Sequence, residues 1–147
     1  MIVLDTNVIS ELTRQAPAPG VISWLDSLTA AEIATTAITA AELLYGVARM
    51  PDGHRKANLA AAVHGLLSDD FHGRVLCFDE PAAQRYADIV TGREQQGRPI
   101  GVTDAQIAAI CRTSGATLAT RNTDDFEDTG IELINPWTMG HERDEGL

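Results

Sequence analysis

The chain opens on an apolar run, Ile2-Val3-Leu4, that stops at Asp5-Thr6-Asn7. A short apolar run bounded by polar residues reads as a buried strand, and Asp5 stands at its carboxyl end. The rest of the chain repeats this layout, with short β-branched runs separated by stretches of helical periodicity. A helix is expected through Ile9, Leu12 and Thr13, with Pro17, Pro19 and Gly20 breaking the chain after it. Val21, Trp24, Leu25 and Leu28 fall at helical spacing and predict an amphipathic helix over 21–28. Residues 32–38 predict a second strand, followed by a helix from Thr39 to about Met50, before Pro51.

A longer helix is expected over 53–72, with Leu59, Val63, Leu66 and Leu67 along one side, and a third strand from Arg74 to Phe78. Asp79-Glu80-Pro81 opens a helix to Gln96, and 97–101 is a turn-rich break. The helix Thr103–Ser114 buries Ile107, Ala108, Ile110 and Cys111 and stops at Gly115. Strands are expected at 117–120 and 131–134, and Pro136-Trp137 closes the domain. Strands alternating with helices imply a parallel sheet with helices on both faces. The expectation is one α/β domain, residues 1–137, with a polar tail over 138–147.

Composition narrows the classes. With 147 residues and 44% hydrophobic content, the chain can bury one core. No stretch approaches the roughly 18 apolar residues of a membrane span, and the N-terminus lacks a signal peptide's pattern, so a cytoplasmic protein is expected. Cys77 and Cys111 lie in apolar segments without CxxC spacing and read as reduced core residues. The four histidines form no ligand pattern. Eleven basic against 21 acidic residues leave a net charge of -10, which argues against a long nucleic-acid footprint and suits a small cation-assisted site or a basic partner.

In an open α/β sheet, ligands bind at the carboxyl ends of the strands, near the point where strand order reverses. Asp5 follows the first strand, Glu42 lies in the first turn after the second, Asp104 starts the helix after Gly101, and Asn122, Asp124 and Asp125 follow the fourth. Each has a plainer role. Asp5 caps a helix, Thr39-Ala-Ala-Glu42 fits a capping box, and Asp104 is a favourable charge at a helix N-terminus. Gathered together, however, these carboxylates repel. A hard divalent cation relieves that repulsion, and such a site is suited to hydrolysing a phosphodiester. Arg49, Arg93, Arg98, Arg112 and Arg121 lie on segments leading to or from that edge and are either its basic rim or solvated surface.

The stretches Leu4-Asp5-Thr6-Asn7-Val8-Ile9-Ser10-Glu11-Leu12, Ile38-Thr39-Ala40-Ala41-Glu42-Leu43-Leu44-Tyr45-Gly46, 97–109, Leu118-Ala119-Thr120-Arg121-Asn122-Thr123-Asp124-Asp125-Phe126 and Ile134-Asn135-Pro136-Trp137 occur in an order that resembles the PIN-domain ribonuclease toxins of the VapC type, close to their FitB-like branch. The resemblance covers nearly the whole chain. It implies a five-stranded parallel sheet and a Mg2+-dependent endoribonuclease, with Mn2+ as a substitute. Asp5, Glu42 and Asp104 would be the acidic metal ligands, and Thr6, Asn7, Thr120 and Asn122 would hold ligands and water. Asn122 stands where many such domains carry an aspartate, and Asp125 supplies the fourth carboxylate in its place, ahead of Asp124. Arg98 and Arg121 are the expected substrate-binding cations. The resemblance further implies a homodimer, an RNA substrate, no membrane, and a small antitoxin with a DNA-binding part whose other end occupies the toxin's groove.

Two other enzyme-like frames fit less well. A haloacid-dehalogenase-like phosphatase favours a second aspartate two residues after the first, where Asn7 stands. A receiver-type domain expects an acidic pair and a late lysine, whereas the lone lysine is Lys56. The alternative kept open is a catalytically weak PIN-like module that acts through antitoxin or RNA binding.

Overall fold

The computed structural model describes residues 1–139. Five short strands form one parallel sheet: β1 (Ile2–Leu4), β2 (Ile33–Thr36), β3 (Val75–Leu76), β4 (Thr117–Ala119) and β5 (Leu133–Ile134), in the order β3-β2-β1-β4-β5. The chain winds outward from β1 through β2 to β3, then returns to the other side of β1 for β4 and β5. Strand order therefore reverses between β1 and β4, and that pair defines the crevice at which ligands bind.

Side chains alternate across a strand, and the core follows that rule. Val3, Ala34 and Leu118 lie at matched positions on three adjacent strands and enter one cluster with Ala82, Ile89, Ile107, Ala108, Ile110 and Cys111. Leu4 and its register partner Ala119 face the opposite cluster, with Val8, Ile9, Val21, Trp24, Leu43, Val47 and Val63. Thus α5 (Glu80–Gln95) and α6 (Val102–Ser114) cover one face of the sheet. The other is covered by α1 (Thr6–Leu12), α2 (Pro19–Asp26), α3 (Ala37–Ala48) and α4 (His54–Gly65). The apolar sides expected for the second and fourth helices are core contacts.

Several boundaries differ from expectation for identifiable reasons. Pro19 and Gly20 do not break the chain; they begin α2, where proline's missing N–H costs nothing and its φ suits the first turn. A 3₁₀ turn over Ala30–Glu32 takes the start of the expected second strand, closed by a capping box between Thr29 and Glu32. The helix after β2 begins at Ala37, because the Thr36 side chain accepts from the Thr39 N–H at 3.0 Å. The long helix expected over 53–72 ends as α4 at Gly65 and continues as a π turn, Leu66–Asp70, that swings buried Phe71 into the core. Gly115 closes α6 at φ 65, a left-handed C-cap that suits glycine.

Cys111 is buried as expected, but Cys77 is exposed, because β3 is a two-residue edge strand and leaves it outside the sheet. Of the expected polar tail, residues 138 and 139 are helical and Met139 packs on the core; 140–147 lie outside the described residues. Among the described residues, no helix is long and apolar enough to cross a membrane.

Candidate functional site

The register Leu4↔Ala119 brings the next residues, Asp5 and Thr120, level at the ends of β1 and β4. Asp5 is extended and caps α1, accepting the Thr6 N–H on Oδ1 at 2.8 Å. Its Oδ2 accepts from Thr120 Oγ1 at 2.8 Å and from Asn7 Nδ2 at 3.4 Å. Thr120 Oγ1 in turn accepts from Asn7 Nδ2 at 3.2 Å and from the Asn122 N–H at 3.1 Å, so its one proton and both lone pairs are engaged. Asn7 Oδ1 receives the Arg121 N–H at 3.1 Å. Helix capping and site building are the same set of bonds here, so the two roles considered for Asp5 coincide.

Glu42 does not cap Thr39. Thr36 performs that task, which leaves the Glu42 carboxylate to accept from Thr6 Oγ1 at 3.2 Å. Thr6 Oγ1 is also 3.2 Å from Thr39 Oγ1 and so ties α1 to α3 at the sheet edge. Asp104 occupies the first turn of α6, where Gly101 offers no side-chain cap and the positive helix end faces it.

The carboxylates sense one another. Burial pushes Asp104 up to about 6, and the charges of Asp5, Asp125 and Glu42 add to that push while Arg93 opposes it. Asp5, only 5% exposed, is also raised, by burial first; bonds from Thr120 and Thr6 offset part of this and the Asp125 charge adds to it. Glu42 is raised by loss of water around its carboxyl end, with Thr6 lowering it and the Asp5 charge raising it. Because the residue as a whole is exposed, it remains the best solvated of the three. Asp5, Glu42, Asp104 and Asp125 thus form one electrostatic group drawn from four places in the chain. Asn122 adjoins it through its backbone bond to Thr120.

The donors suit a hard cation. They are carboxylate and hydroxyl oxygens, and the nearby thiol is unsuitable: burial and the Asp5 charge push Cys111 up to about 12. Among the described residues, no three His, Cys, Asp or Glu side chains close into a compact cage. Hard divalent cations take carboxylate and water oxygens as ligands.

The arginines divide. Arg98 is paired at 3.1 Å with both Glu127 and Asp128. The Arg121 guanidinium lies 5.0 Å from the centre of the Trp137 ring, a cation–π distance. Arg93 is not a rim residue: it is buried at the end of α5. Glu11, not among the expected site residues, is 6% exposed and receives the Ala18 N–H at 2.8 Å and two Arg14 bonds at 3.0 and 3.1 Å. Those bonds hold its carboxyl below the usual range and secure the loop into α2. The i,i+3 spacing of Glu11 and Arg14 was the available signal. Beside Thr6 and Glu42, a groove of about 640 Å³ runs between α1, α3 and α4, lined by Leu43, Val47, Arg49, Arg55, Leu59 and Val63 among others.

The PIN domain family model matches residues 2–132. The chain is 42% identical over 137 residues to "VapC ribonuclease Y4jK" of Sinorhizobium fredii, covering 93% of this chain and 98% of that protein. It is also 42% identical over 137 residues to "Toxin FitB" of Neisseria gonorrhoeae, covering 93% and 99%. Among solved structures, one described as FitAB bound to an IR36 DNA fragment superposes with a TM-score of 0.88 at 41% identity, over 93% of this chain and 96% of that one.

Proposed function

Since the chain belongs to the PIN-domain family, we propose that it is the toxin of a toxin–antitoxin pair and acts as a metal-dependent endoribonuclease. One observation carries this proposal: Asp5, Glu42, Asp104 and Asp125, from four distant segments, gather at the β1/β4 crevice, where Thr120 bonds Asp5 and Thr6 bonds Glu42 and the carboxylate charges repel one another. Similarity along nearly the whole chain to a protein named a VapC ribonuclease supports the substrate class.

Asp5, Glu42 and Asp104 hold the cation, Mg2+ in the cell with Mn2+ as a substitute. When bound, that ion supplies charge neutralisation at the scissile phosphate and acidifies water. Thr120 and Asn7 fix the orientation of the Asp5 carboxylate, and Thr6 does the same for Glu42. Asp125 supplies the fourth negative charge, the role that Asn122 cannot fill because an amide does not ionise. Arg121, held over Trp137, offers a cation beside the crevice. Arg98 contacts substrate only by exchanging Glu127 and Asp128 for phosphate, and exposed pairs of that kind are weak enough to exchange.

The protein acts in the cytoplasm as a homodimer, bound to a small antitoxin whose other part contacts DNA. The groove between α1, α3 and α4 accepts the antitoxin segment, with a basic antitoxin side chain reaching the carboxylates. Similarity to a structure described as FitAB bound to a DNA fragment supports a partner that contacts DNA. A net charge of -10 favours such a basic partner.

The test is cleavage of structured RNAs with Mg2+, Mn2+ or EDTA, comparing wild type with Asp5→Asn and Asp104→Asn. Cleavage that needs metal and is lost in both variants is expected. Cleavage that persists in EDTA, or in both variants, overturns the mechanism.

A further inference from the structure

Arg93 is 5% exposed in the last turn of α5. A guanidinium taken out of water commonly pairs with a carboxylate. Among the described residues, none lies within ion-pair distance of this one. Instead its Nε donates to the Arg98 carbonyl at 2.8 Å, and its Nη1 donates to the carbonyls of Asp125 and Glu127, each at 3.0 Å. The Arg98 N–H returns a bond to the Arg93 carbonyl at 2.9 Å. One buried fork thus joins the loop that leads into α6, where Asp104 sits, to the 3₁₀ turn Thr123–Phe126 that carries Asp125. The Arg98 ion pairs to Glu127 and Asp128 span the same two segments, but they are exposed.

We propose that Arg93 is a positioning residue for the carboxylate site, fixing the turn of Asp125 against the loop of Asp104. This rests on the metal-dependent assignment made above. The planar guanidinium donates in several directions at once and in fixed geometry, which a lysine ammonium does not reproduce. The separation of the two carboxylates is therefore set by a buried group and not by two surface loops.

The test uses Arg93→Lys and Arg93→Gln in the full chain. Mn2+ affinity is read by water-proton relaxation, segment protection by hydrogen exchange, and kcat and KM by RNA cleavage. In a folded Arg93→Lys protein, amides in 97–104 and in 123–129 are expected to lose protection together while β1 and β4 keep theirs. Mn2+ affinity is expected to fall about 10- to 100-fold, the usual cost of losing a group that orients ligands. The cleavage loss should appear in kcat, with KM within about threefold. In an Asp125→Asn background the further loss of Mn2+ affinity should shrink but persist, because the arginine also holds the loop that leads to Asp104.

Wild-type Mn2+ affinity in a folded Arg93→Lys protein, or loosening of one segment alone, overturns the proposal. If the wild type itself neither binds Mn2+ nor cuts RNA, the metal assignment fails separately. Hydrogen exchange then decides the positioning role, with joint loosening in support and unchanged protection against. If both variants misfold, native-state exchange on the wild type serves: the two segments should open as one unit, and independent opening overturns the proposal.

Discussion

Thr120 Oγ1 donates to Asp5 Oδ2 at 2.8 Å across a sequence separation of 115 residues, and the bond crosses the point where strand order reverses. Thr120 is fully buried and Asp5 nearly so. The bond fixes the orientation of the carboxylate and gives it part of the stabilisation that burial removes.

Replacing Thr120 by valine keeps the shape and deletes that donor, together with the acceptor for the Asn122 N–H. Thr120→Val is expected to lose about 1–3 kcal/mol of stability, the cost of leaving buried polar groups unpaired. RNA cleavage should fall about 10- to 100-fold, as when a ligand-orienting group is removed. Thr120→Ser should recover most of both. Denaturant melts and single-turnover rates check this, and a valine variant with wild-type cleavage rules the bond out as an orienting one.

Asp104 gives a pH signature. Its folded value is about 6 against 3.8 for the free side chain. Between those values the folded state binds more protons than the unfolded state, so stability falls as pH rises. The contribution is fully present below 3.8 and is lost as pH passes through 6. The metal-free protein should therefore melt at a lower temperature at pH 7 than at pH 5. Asp104→Asn should flatten that slope and abolish cleavage. Saturating Mn2+ should raise the wild-type melting temperature at pH 7, by an amount equivalent to about 2.7 kcal/mol at 100 times Kd. Thermal melts in EDTA and in Mn2+ across that pH range are the measurement.

The two residues after β4 should separate cleanly. The Asp125 charge repels those of Asp5 and Asp104, whereas Asn122 is tied in through its backbone N–H. Asp125→Asn is expected to lower kcat about 100-fold or more, the usual range for general acid–base or electrostatic groups. Asn122→Ala should stay within about threefold, since the backbone bond survives substitution. Steady-state cleavage of one RNA by both variants decides between them, and the reverse ranking refutes the assignment of Asp125.

Glu11 should matter for stability alone. Glu11→Gln removes the charge that accepts from Ala18 and Arg14, so its melting temperature should drop near neutral pH while cleavage per folded molecule is unchanged. Its carboxyl lies below the usual range when folded, so this stabilisation is present above about 4.5 and lost on acidification. A calorimetric pH series on both proteins tests it.

Much of the fold can be read directly from the chain. Short strand-forming runs such as Ile2–Leu4 and Thr117–Ala119, alternating with helical periodicity, leave few arrangements other than a parallel sheet covered on both faces. Asp5 and Glu42 are legible at one sheet edge because topology sends residues that follow strand ends there, and Asp104 is legible as the first-turn carboxylate of α6. Helix starts were harder. The capping pattern at Thr39 and Glu42 is chemically sound, yet Thr36 is better placed to accept the Thr39 N–H, and that decision released Glu42 to the site. Cys77 looked internal because its neighbours are apolar, and only the shortness of β3 puts it outside.

Sequence by itself determined the α/β architecture, the family, and which carboxylates stand at the sheet's edge, because periodicity and residue order are local properties of a chain. Tertiary structure alone decided that Asp125 shares the electrostatics of the other three carboxylates, that Arg98 is bound to Glu127 and Asp128, and that Arg93 is buried on three carbonyls. Those outcomes depend on which groups remain in water after packing. An arginine or aspartate has the same sequence signal whether its charge ends in solvent, in an ion pair or beneath a loop.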